Sequence, residues 1–365
     1  MNGVSAVHSD LLKTDLFRHF YELYPEKFQN KTNGVTHRRW IACANPDLGQ
    51  FYTDQLGSKD WLTNLELIKP LIEKIDDPDF REKWNDIKQK NKRRLIKWIQ
   101  KKTGVLLREE SMFDVQVKRI HEYKRQFMNA FYVVYRYLQL KEASPEKRKA
   151  FVPRSVLVGG KAAPGYVNAK RVIKLILAIA KVINQDPDTK DYLNLIFLPN
   201  YSVTAAEVII PAADICQQIS TAGTEASGTS NMKFCMNGAM ILGTMDGANI
   251  EIAEEVGMEN IITFGAEVEE VEEIRNKILR EENLEKQEEA EKVVKAIEGG
   301  MFGKDKEIME LIETVKNGND RYLVCYDFKS YIEAQQKVKR KFFLKSFFYR
   351  WMSCIRTGKN GPKNQ

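Results

Sequence analysis

A strand pattern changes to a helix pattern within Phe113-Asp-Val-Gln-Val-Lys-Arg-Ile-His-Glu-Tyr-Lys-Arg125. Residues 113–117 alternate apolar and polar side chains, which predicts a strand, and residues 121–140 have the apolar spacing of a helix. Short apolar runs and helical stretches continue to alternate as far as residue 264. Because this alternation is typical of βαβ units, we predict an α/β fold with a doubly wound parallel sheet that helices cover on both faces.

The same patterns predict the remaining elements on either side of this stretch. Further strands are predicted at 155–158, 193–198, 215–219, 240–244 and 261–264, and helices at 167–184 and 203–210. Residues 1–110 are predicted to be mainly helical, with helices at 10–23, 61–75 and 81–102 and a stop at Gly104. The Glu-rich residues 266–298 are typical of two solvated helices with a buried apolar stripe at 268, 271, 274, 278 and 284.

The composition argues against several classes of protein. A chain of 365 residues predicts roughly two to three domains. A hydrophobic share of 43%, a charged share of 29% and a mean hydropathy of −0.44 are ordinary for soluble globular proteins. No apolar run approaches the ~20 residues of a membrane span, residues 1–30 lack a signal-peptide pattern, and the five Cys have no CxxC spacing. We therefore expect a soluble, cytoplasmic protein that uses no membrane, disulfide framework or metal.

The net charge of +7 comes from one end of the chain. Nine basic residues and no acidic residue lie between Lys337 and Gln365, so the remainder is close to neutral. Nucleic-acid binding would need basic residues on a folded face with elements that read bases. We therefore predict no nucleic-acid partner.

Basic residues cluster where the first strand of the predicted sheet ends. Lys118, Arg119, Lys124 and Arg125 lie at this strand-to-helix junction, and ligands of parallel sheets bind outside the carboxyl ends of the strands. Arg and Lys at such a place suggest an anion site. The alternative is a solvated basic helix start, which the helix dipole disfavours.

A second and a third segment follow later strands. Gly159-Gly160 ends a strand and permits close approach of the backbone to a ligand or to another element, or it is simply a tight turn.

In Thr221–Lys233, small and polar residues run into a predicted helix start, which can cradle an anion. Lys233 lies four residues after Thr229, about one helical turn on, so a ligand with a phosphate and an electrophilic carbon would fit. Pyridoxal phosphate is such a ligand, and the alternative is a Gly-rich turn with an ordinary surface lysine.

Five motifs together resemble the glycogen/starch (α-1,4-glucan) phosphorylase family. They are Lys31-Thr-Asn-Gly-Val-Thr-His-Arg-Arg-Trp40, Asp114-Val-Gln-Val-Lys-Arg-Ile-His-Glu-Tyr-Lys-Arg125, Gly159-Gly-Lys-Ala-Ala-Pro-Gly-Tyr166, Gly223-Thr-Glu-Ala-Ser-Gly-Thr-Ser-Asn-Met-Lys233 and Gly243-Thr-Met-Asp-Gly-Ala-Asn-Ile-Glu251. The motifs are long and stand in the family's order. The resemblance covers nearly the whole chain but only the carboxyl-terminal part of a family member.

The resemblance implies a glycosyltransferase-B-type fold, in which two Rossmann-like domains face a cleft. Residues 1–33 would be the end of the first domain, and residues 34–341 the second, Rossmann-like catalytic domain that binds cofactor and phosphate. Residues 342–365 would be a basic and aromatic tail, truncated relative to the family. The resemblance implies that the amino-terminal half of the cleft would be missing from this chain.

The resemblance also implies an activity. Family members use pyridoxal 5'-phosphate for the reversible phosphorolysis of α-1,4-glucans by inorganic phosphate, which releases glucose 1-phosphate with retention. The phosphate of the cofactor, rather than its ring, donates and accepts the proton. The full-length form is expected to be a cytoplasmic homodimer, and this partial chain to be inactive alone. The alternative is a non-catalytic remnant that binds cofactor or a protomer.

Roles for single residues follow from the motifs by resemblance. The expected catalytic residues are a lysine that holds the cofactor as a Schiff base and two cations that bind the substrate phosphate: Lys233, Arg119 and Lys124. The cofactor is expected to be bound by Lys233 itself and by Lys118, Gly228, Thr229, Tyr201 and Trp40. The glucosyl hydroxyls are expected to be bound by Asn33, Tyr123, Glu225, Ala226, Ser227 and Gly228. Tyr166 resembles half of an aromatic inhibitor slot.

Two positions depart from the family pattern. His37 stands where animal members have Pro, and Ser202 stands where many members have an Arg near the cofactor phosphate. The second departure removes one expected phosphate contact. A nucleotide-sugar glycosyltransferase of the same fold class would not need Lys233 and does not explain the segment Ser227–Lys233.

Overall fold

The computed structural model of the chain describes residues 1–280, 282 and 287–343. The predicted tail at 342–365 lies outside these residues, except for the backbone of its first two. Position 284 of the predicted apolar stripe also lies outside them.

Among the described residues, eight strands form two sheets, all with parallel pairing. A small sheet pairs β1 (Asn2–Gly3) with β2 (Gln29–Asn30). The main sheet contains β3 (Met112–Val117), β4 (Arg154–Gly159), β5 (Leu193–Leu198), β6 (Ile215–Gln218), β7 (Met240–Gly243) and β8 (Ile262–Thr263). Its spatial order is β5-β4-β3-β6-β7-β8, so the direction of winding reverses between β3 and β6. At such a switch point, a crevice opens outside the carboxyl ends of the two strands.

Fourteen α-helices are described. They are α1 (Ala6–Leu11), α2 (Arg18–Leu23), α3 (Pro46–Leu56), α4 (Pro78–Thr103), α5 (Gln126–Glu142), α6 (Pro145–Arg148), α7 (Val167–Ile183), α8 (Val203–Ala212), α9 (Ser230–Cys235), α10 (Ala248–Val256), α11 (Val271–Leu279), α12 (Glu288–Glu298), α13 (Lys306–Ile312) and α14 (Phe328–Phe343). Helices α11 and α12 confirm the predicted pair at 266–298.

Both faces of the main sheet are covered, as predicted. Val156 and Val158 of β4 pack in one core cluster with residues of α5, α7, α12, α13 and α14. Leu157, between them, faces a second cluster formed with α4 and α8. This alternation places apolar side chains on both surfaces of one strand, which is typical of a parallel sheet between two helical layers. The architecture is compatible with a Rossmann-like fold.

Some helical predictions for the first 110 residues were wrong in detail. Residues 61–75 form 3₁₀ turns at Asp60–Leu62 and Leu65–Lys74 rather than one α-helix. Pro70 lies inside the second turn, where it lacks the N–H that an α-helical hydrogen bond needs. The predicted helix at 10–23 is divided among α1, a π-helical turn at Leu12–Leu16, and α2. By contrast, α4 ends at Gly104, whose φ of 76° is left-handed as a glycine stop requires.

Candidate functional site

Lys118 lies at the switch point of the main sheet, directly after β3. Its Nζ donates a hydrogen bond of 2.6 Å to Oε1 of Gln218, the last residue of β6. The Gln218 amide then donates to Oγ of Ser230, the first residue of α9, over 2.8 Å. Burial lowers the pKa of Lys118 to about 8, although the Glu225 carboxylate acts in the opposite direction. A chain of hydrogen bonds thus links the first predicted anion-binding lysine to the helix that carries Lys233.

The Gly159-Gly160 pair is explained by packing at the same crevice. A Cβ on Gly160 would lie 1.9 Å from the carbonyl oxygen of Lys118, and one on Gly159 would lie 3.1 Å from Cβ of Leu198. Only a residue without a side chain permits the β4 end to approach Lys118 so closely. Of the alternatives for this segment, the structure shows close approach to a neighbouring strand end.

Lys124 and Glu225 form an ion pair beside this crevice. Their side chains are only 13% and 17% exposed. Burial by itself would lower the pKa of Lys124, but the adjacent Glu225 carboxylate outweighs it and the pKa is raised. Arg119 is exposed, and no acidic side chain pairs with its guanidinium within the described ranges. The structure therefore offers one paired and one unpaired cation where the sequence predicts a substrate phosphate.

Arg125 does not belong to this cluster, which corrects the sequence-based grouping of four cations. Its side chain is fully buried and forms an ion pair with Asp327, the residue directly before α14. Nη1 of Arg125 lies 2.5 Å from Oδ2 of Asp327. The guanidinium also donates to the carbonyls of Ile219 and Ser220 over 2.6 and 3.1 Å. Arg125 also has a left-handed backbone φ of 54°, which is uncommon for a residue other than glycine. Arg125 is a structural residue that ties the end of β6 to α14.

Replacement of Arg125 with alanine is expected to lower the free energy of unfolding by about 3–5 kcal/mol, because it leaves the Asp327 carboxylate buried without its partner. Urea unfolding followed by circular dichroism measures this loss. The matched control is Arg119→Ala, which removes an exposed guanidinium and should change stability by about 0.5 kcal/mol or less. Equal effects of the two variants would contradict the assignment.

The loop between β6 and α9 is organised by Asp246, a residue to which sequence analysis assigned no role. The Asp246 carboxylate accepts hydrogen bonds from Ser220 Oγ and from the backbone N–H groups of Gly223, Glu225 and Gly247, over 2.9–3.1 Å. Burial raises its pKa, which these hydrogen bonds oppose. Its position inside the Gly243–Glu251 motif is the only signal in the sequence that could have identified it.

Two glycines permit the backbone conformation and the close packing of this loop. Gly228 has a φ of 80°, and a Cβ on Gly247 would lie 2.6 Å from the carbonyl oxygen of Ser227. That oxygen accepts a hydrogen bond of 2.7 Å from the N–H of Ala248. Thr229 then precedes the first residue of α9 as its N-cap. The glycine-rich segment that the sequence analysis singled out is therefore a loop that is hydrogen-bonded to the start of α10.

Lys233 projects from α9 toward Trp40. Its Nζ lies 4.5 Å from the centroid of the Trp40 ring, and burial lowers its pKa. The buried amide of Asn237 donates to the carbonyls of both Trp40 and Lys233, over 2.9 and 3.0 Å. A lysine with a lowered pKa has a larger share of free amine, which is the nucleophilic form. Sequence analysis missed Asn237, which joins the two segments.

Of the other predicted site residues, Tyr123 and Ala226 have contacts that tie them to this loop, whereas Tyr201 and Asn33 have contacts elsewhere. The centroid of the Tyr123 ring lies 4.5 Å from Lys124 Nζ. The backbone carbonyl of Tyr123 accepts a hydrogen bond from the N–H of Thr221. The Ala226 carbonyl accepts from Ser5 Oγ, which brings residues 1–33 against the loop. Tyr201 packs on the apolar cluster that contains Trp40. Asn33 is exposed, and its N–H donates to the carbonyl of Val4 over 2.9 Å.

The remaining positions singled out from the sequence have clear local roles. Tyr166 donates to Glu122 over 2.6 Å and packs edge-on against His121 with ring centroids 4.7 Å apart. Ser202 is the N-cap of α8, because its Oγ accepts from the N–H of Ala205. His37 is buried, with Nε2 3.0 Å from the Leu62 carbonyl, and burial lowers its pKa.

The described residues contain neither a candidate metal-binding cluster nor a candidate membrane span. Across residues 1–280 and 287–343, no three His, Cys, Asp or Glu side chains are grouped so that they could hold a metal ion. Within the same part of the chain, no helix combines the length and the apolar composition needed to cross a membrane.

Comparison with known proteins gives one consistent result. The model of the carbohydrate phosphorylase family matches residues 1–361. The chain is 49% identical to glycogen phosphorylase 2 of Dictyostelium discoideum, covering 94% of this chain and 34% of that protein. It is 47% identical to the cytosolic alpha-glucan phosphorylase 2 of Arabidopsis thaliana, covering 93% of this chain and 40% of that protein. It is 46% identical to the alpha-glucan phosphorylase H isozyme of Vicia faba, covering 99% of this chain and 43% of that protein.

Proposed function

This chain belongs to the carbohydrate phosphorylase family, and from that premise we propose that it supplies the cofactor- and phosphate-binding part of an α-1,4-glucan phosphorylase. It spans 34–43% of the length of the relatives compared above, so the proposal concerns the longer protein that such a part would complete. The observation that carries it is the hydrogen-bonded chain from Lys118 through Gln218 to Ser230, which couples an anion-binding lysine to the Lys233 helix.

The residues at the switch point fit pyridoxal 5'-phosphate. Lys233 offers an amine of lowered pKa beside the Trp40 ring, on the helix that begins directly after Thr229. Lys118 and the backbone of Gly228 and Thr229 would hold the phosphate end, and Trp40 and Tyr201 would flank the ring. When bound, this cofactor supplies a phosphate that exchanges a proton with the substrate phosphate. Ser202 caps α8 here, so Lys118 carries the cationic part of that phosphate site.

The substrate phosphate is assigned to Arg119 and Lys124. Arg119 is exposed and lacks an acidic partner in the described part of the chain, so it can receive an anion without breaking an existing pair. Lys124 is held by Glu225, which fixes its ammonium at the crevice. Two phosphates in contact repel each other, so they need nearby positive charge to be held together. The same repulsion raises the pKa of one phosphate into the range of general acid–base catalysis.

The glucosyl unit is assigned to the loop that Asp246 organises. Glu225, Ala226, Ser227 and Gly228 of this loop, with Tyr123 and Asn33, are the proposed hydrogen-bonding partners of its hydroxyls. Because Glu225 also pairs with Lys124, one loop would orient both the sugar and the attacking phosphate. Such shared positioning of two reactants is a principal source of rate enhancement.

The proposed domain boundaries follow the family resemblance. Residues 1–33 would end the first domain of a glycosyltransferase-B-type fold, and residues 34–341 would form the second, with a tail from 342. Leu16, Phe20 and Leu23 are 57–70% exposed, as expected if further parts of a first domain cover them. A homodimer and a cytoplasmic location are proposed for the longer protein, in keeping with a cytosolic relative.

Replacement of Arg119 with alanine in the longer protein is expected to reduce turnover roughly ten- to a hundredfold while pyridoxal phosphate stays bound. A charge-assisted hydrogen bond to a desolvated anion contributes about 1.5–3 kcal/mol. Lys118→Ala should instead weaken cofactor retention, because its ammonium is assigned to the cofactor phosphate. Phosphate-dependent rates and bound cofactor are measured for both variants. Cofactor loss in Arg119→Ala with unchanged phosphate dependence would show that the two roles are exchanged.

The second candidate function is a non-catalytic chain that binds cofactor or a protomer. A Schiff-base absorbance band in the purified chain is expected under both candidates, whereas a nucleotide-sugar glycosyltransferase would show none. Phosphorolysis after the addition of glucan and phosphate to the longer protein then separates the two candidates.

A further inference from the structure

Three buried asparagines form a chain of hydrogen bonds that runs from α4 to the end of α9. Nδ2 of Asn91 donates to Oδ1 of Asn45 over 2.9 Å, and Nδ2 of Asn45 donates to Oδ1 of Asn237 over 3.0 Å. The three residues are 4%, 2% and 1% exposed, in that order. A buried amide is costly unless it is hydrogen-bonded, so this connected chain favours one arrangement of the segments that carry it.

The side chain of Asn237 also joins Lys233 to Trp40. Its Nδ2 donates to the carbonyls of both residues, over 3.0 and 2.9 Å. The backbone N–H of Asn237 bonds instead to the carbonyl of Phe234 over 3.0 Å, so the side chain replaces the bond that a continued α-helix would make to Lys233. The Asn237 amide therefore closes the last turn of α9 and fastens it to the segment that carries the Trp40 ring.

Lys88 of α4 holds the backbone of Asn237 as well. Its Nζ donates to the carbonyl of Asn237 over 2.8 Å and to those of Pro211 and Ala213 over 3.1 and 2.7 Å. An ammonium group has three donors, and carbonyls accept from all three. Burial lowers the pKa of Lys88 to about 8. Helix α4 thus restrains Asn237 through both its side chain and its backbone.

Helix α9 needs such support because it is short. It contains six residues, Ser230–Cys235, and the N–H of Lys233 reaches the carbonyl of Thr229 over a long 3.4 Å. A helix of this length is unstable in isolation, so tertiary contacts set its direction. The distance of 4.5 Å between Lys233 Nζ and the centroid of the Trp40 ring therefore depends on the residue that joins the two segments.

We propose that Asn237 is a positioning residue for the cofactor lysine, because it holds the Lys233 amine at a set place relative to the Trp40 ring and to the loop before α9. The inference rests on the proposed function, in which that loop holds the phosphate end of pyridoxal phosphate and Trp40 flanks its ring. A ligand held at both places presents its aldehyde carbon at one point, so the amine must be held at that point too.

The first measurement needs no cofactor. The lysines of the full chain are methylated with ¹³C-formaldehyde and borohydride, and the Lys233 methyl signal is assigned by its loss in Lys233→Arg. Because the amine lies over the Trp40 ring, this proton signal is expected upfield of that of the exposed Lys161. In Asn237→Ala most of this ring-current shift should disappear.

The second measurement is the rate at which pyridoxal phosphate and borohydride label Lys233. The amine adds to the aldehyde carbon, loss of water leaves a C=N bond, and borohydride reduces that bond by hydride transfer. Asn237→Ala should slow this labelling roughly ten- to a hundredfold, because a displacement of about 1 Å is enough to cost that much. The rate of methylation of Lys233 by formaldehyde, which has no second end, corrects for any change in the share of free amine.

Two further variants complete the test. Asn184→Ala is the matched control, since Asn184 exchanges two hydrogen bonds with Leu195 and joins α7 to the edge strand β5. It should lower stability and leave both measurements unchanged. Asn91→Ala keeps Asn237 and introduces a good helix former into α4, so it should fold even if Asn237→Ala does not. It should slow the labelling roughly two- to tenfold, as expected for the loss of one hydrogen bond.

The outcomes separate this inference from the proposed function. A ring-current shift that persists in folded Asn237→Ala, or labelling at the wild-type rate in that variant, would overturn the positioning role. If Asn237→Ala does not fold, unchanged shift and labelling in Asn91→Ala would overturn it. Wild-type chain that pyridoxal phosphate does not label at Lys233 would refute the proposed cofactor site, while a shift lost in Asn237→Ala would still support the placement of Lys233 by Asn237.

Discussion

Replacement of Lys233 with alanine is expected to abolish covalent labelling of the chain by pyridoxal phosphate and borohydride. Lys233 is the lysine whose helix begins at the Gly228–Thr229 loop, and its pKa is lowered by burial. A lowered pKa gives more free amine near neutral pH, and imine formation requires that form. The measurement is the mass of the borohydride-treated chain, together with the peptide that carries the label.

Lys161→Ala is the matched control for this variant. Lys161 follows the Gly159-Gly160 pair near the same crevice but is exposed, so its loss should leave the label intact. Labelling that persists in Lys233→Ala would refute the assignment of the cofactor lysine. It would leave Lys118, whose pKa is about 8, as the next candidate.

The 365-residue chain by itself is expected to release no measurable glucose 1-phosphate from glycogen and phosphate. The proposed cleft needs contacts from two domains, and the chain spans only 34–43% of the length of its relatives. Positioning of reactants contributes on the order of 7–11 kcal/mol to a catalysed reaction, so the loss of one wall should slow it on the order of 10⁵-fold or more.

The control for this prediction is the cofactor itself. The Schiff-base absorbance of the same preparation shows whether the chain is loaded, so an inactive but loaded chain excludes a lack of cofactor as the cause. Release of glucose 1-phosphate by a monodisperse, loaded chain would contradict the prediction and would show that one domain suffices.

Local patterns in the sequence determined the elements of the sheet. The predicted strand at 193–198 coincides with β5, and the predictions at 113–117 and 155–158 lie within β3 and β4. The Gly104 stop is also confirmed. These features depend on residues close in the chain, namely apolar runs of strand length and a glycine in left-handed conformation, so they can be read without knowledge of the fold.

The sequence also determined the family, because five long motifs in order are specific. It placed Lys118, Lys124 and Glu225 in one site, and the structure brings these three together at the switch point. The functional roles of these residues remain predictions. The helix at 61–75 could not be predicted correctly from spacing alone, since apolar periodicity does not separate α-helical from 3₁₀ turns when a proline interrupts the hydrogen bonds.

Only the tertiary structure decided which charged side chains face the crevice and which are buried. Arg125 adjoins Lys124 in sequence, yet its partner Asp327 lies 202 residues away and draws it into the core. Asp246 organises the 220–225 loop across 21–26 residues, and Asn237 joins Lys233 to Trp40 across 197. A buried charge or amide is stable only where its hydrogen-bonding partners converge, and that convergence is created by the packing of distant segments rather than by neighbours in the chain.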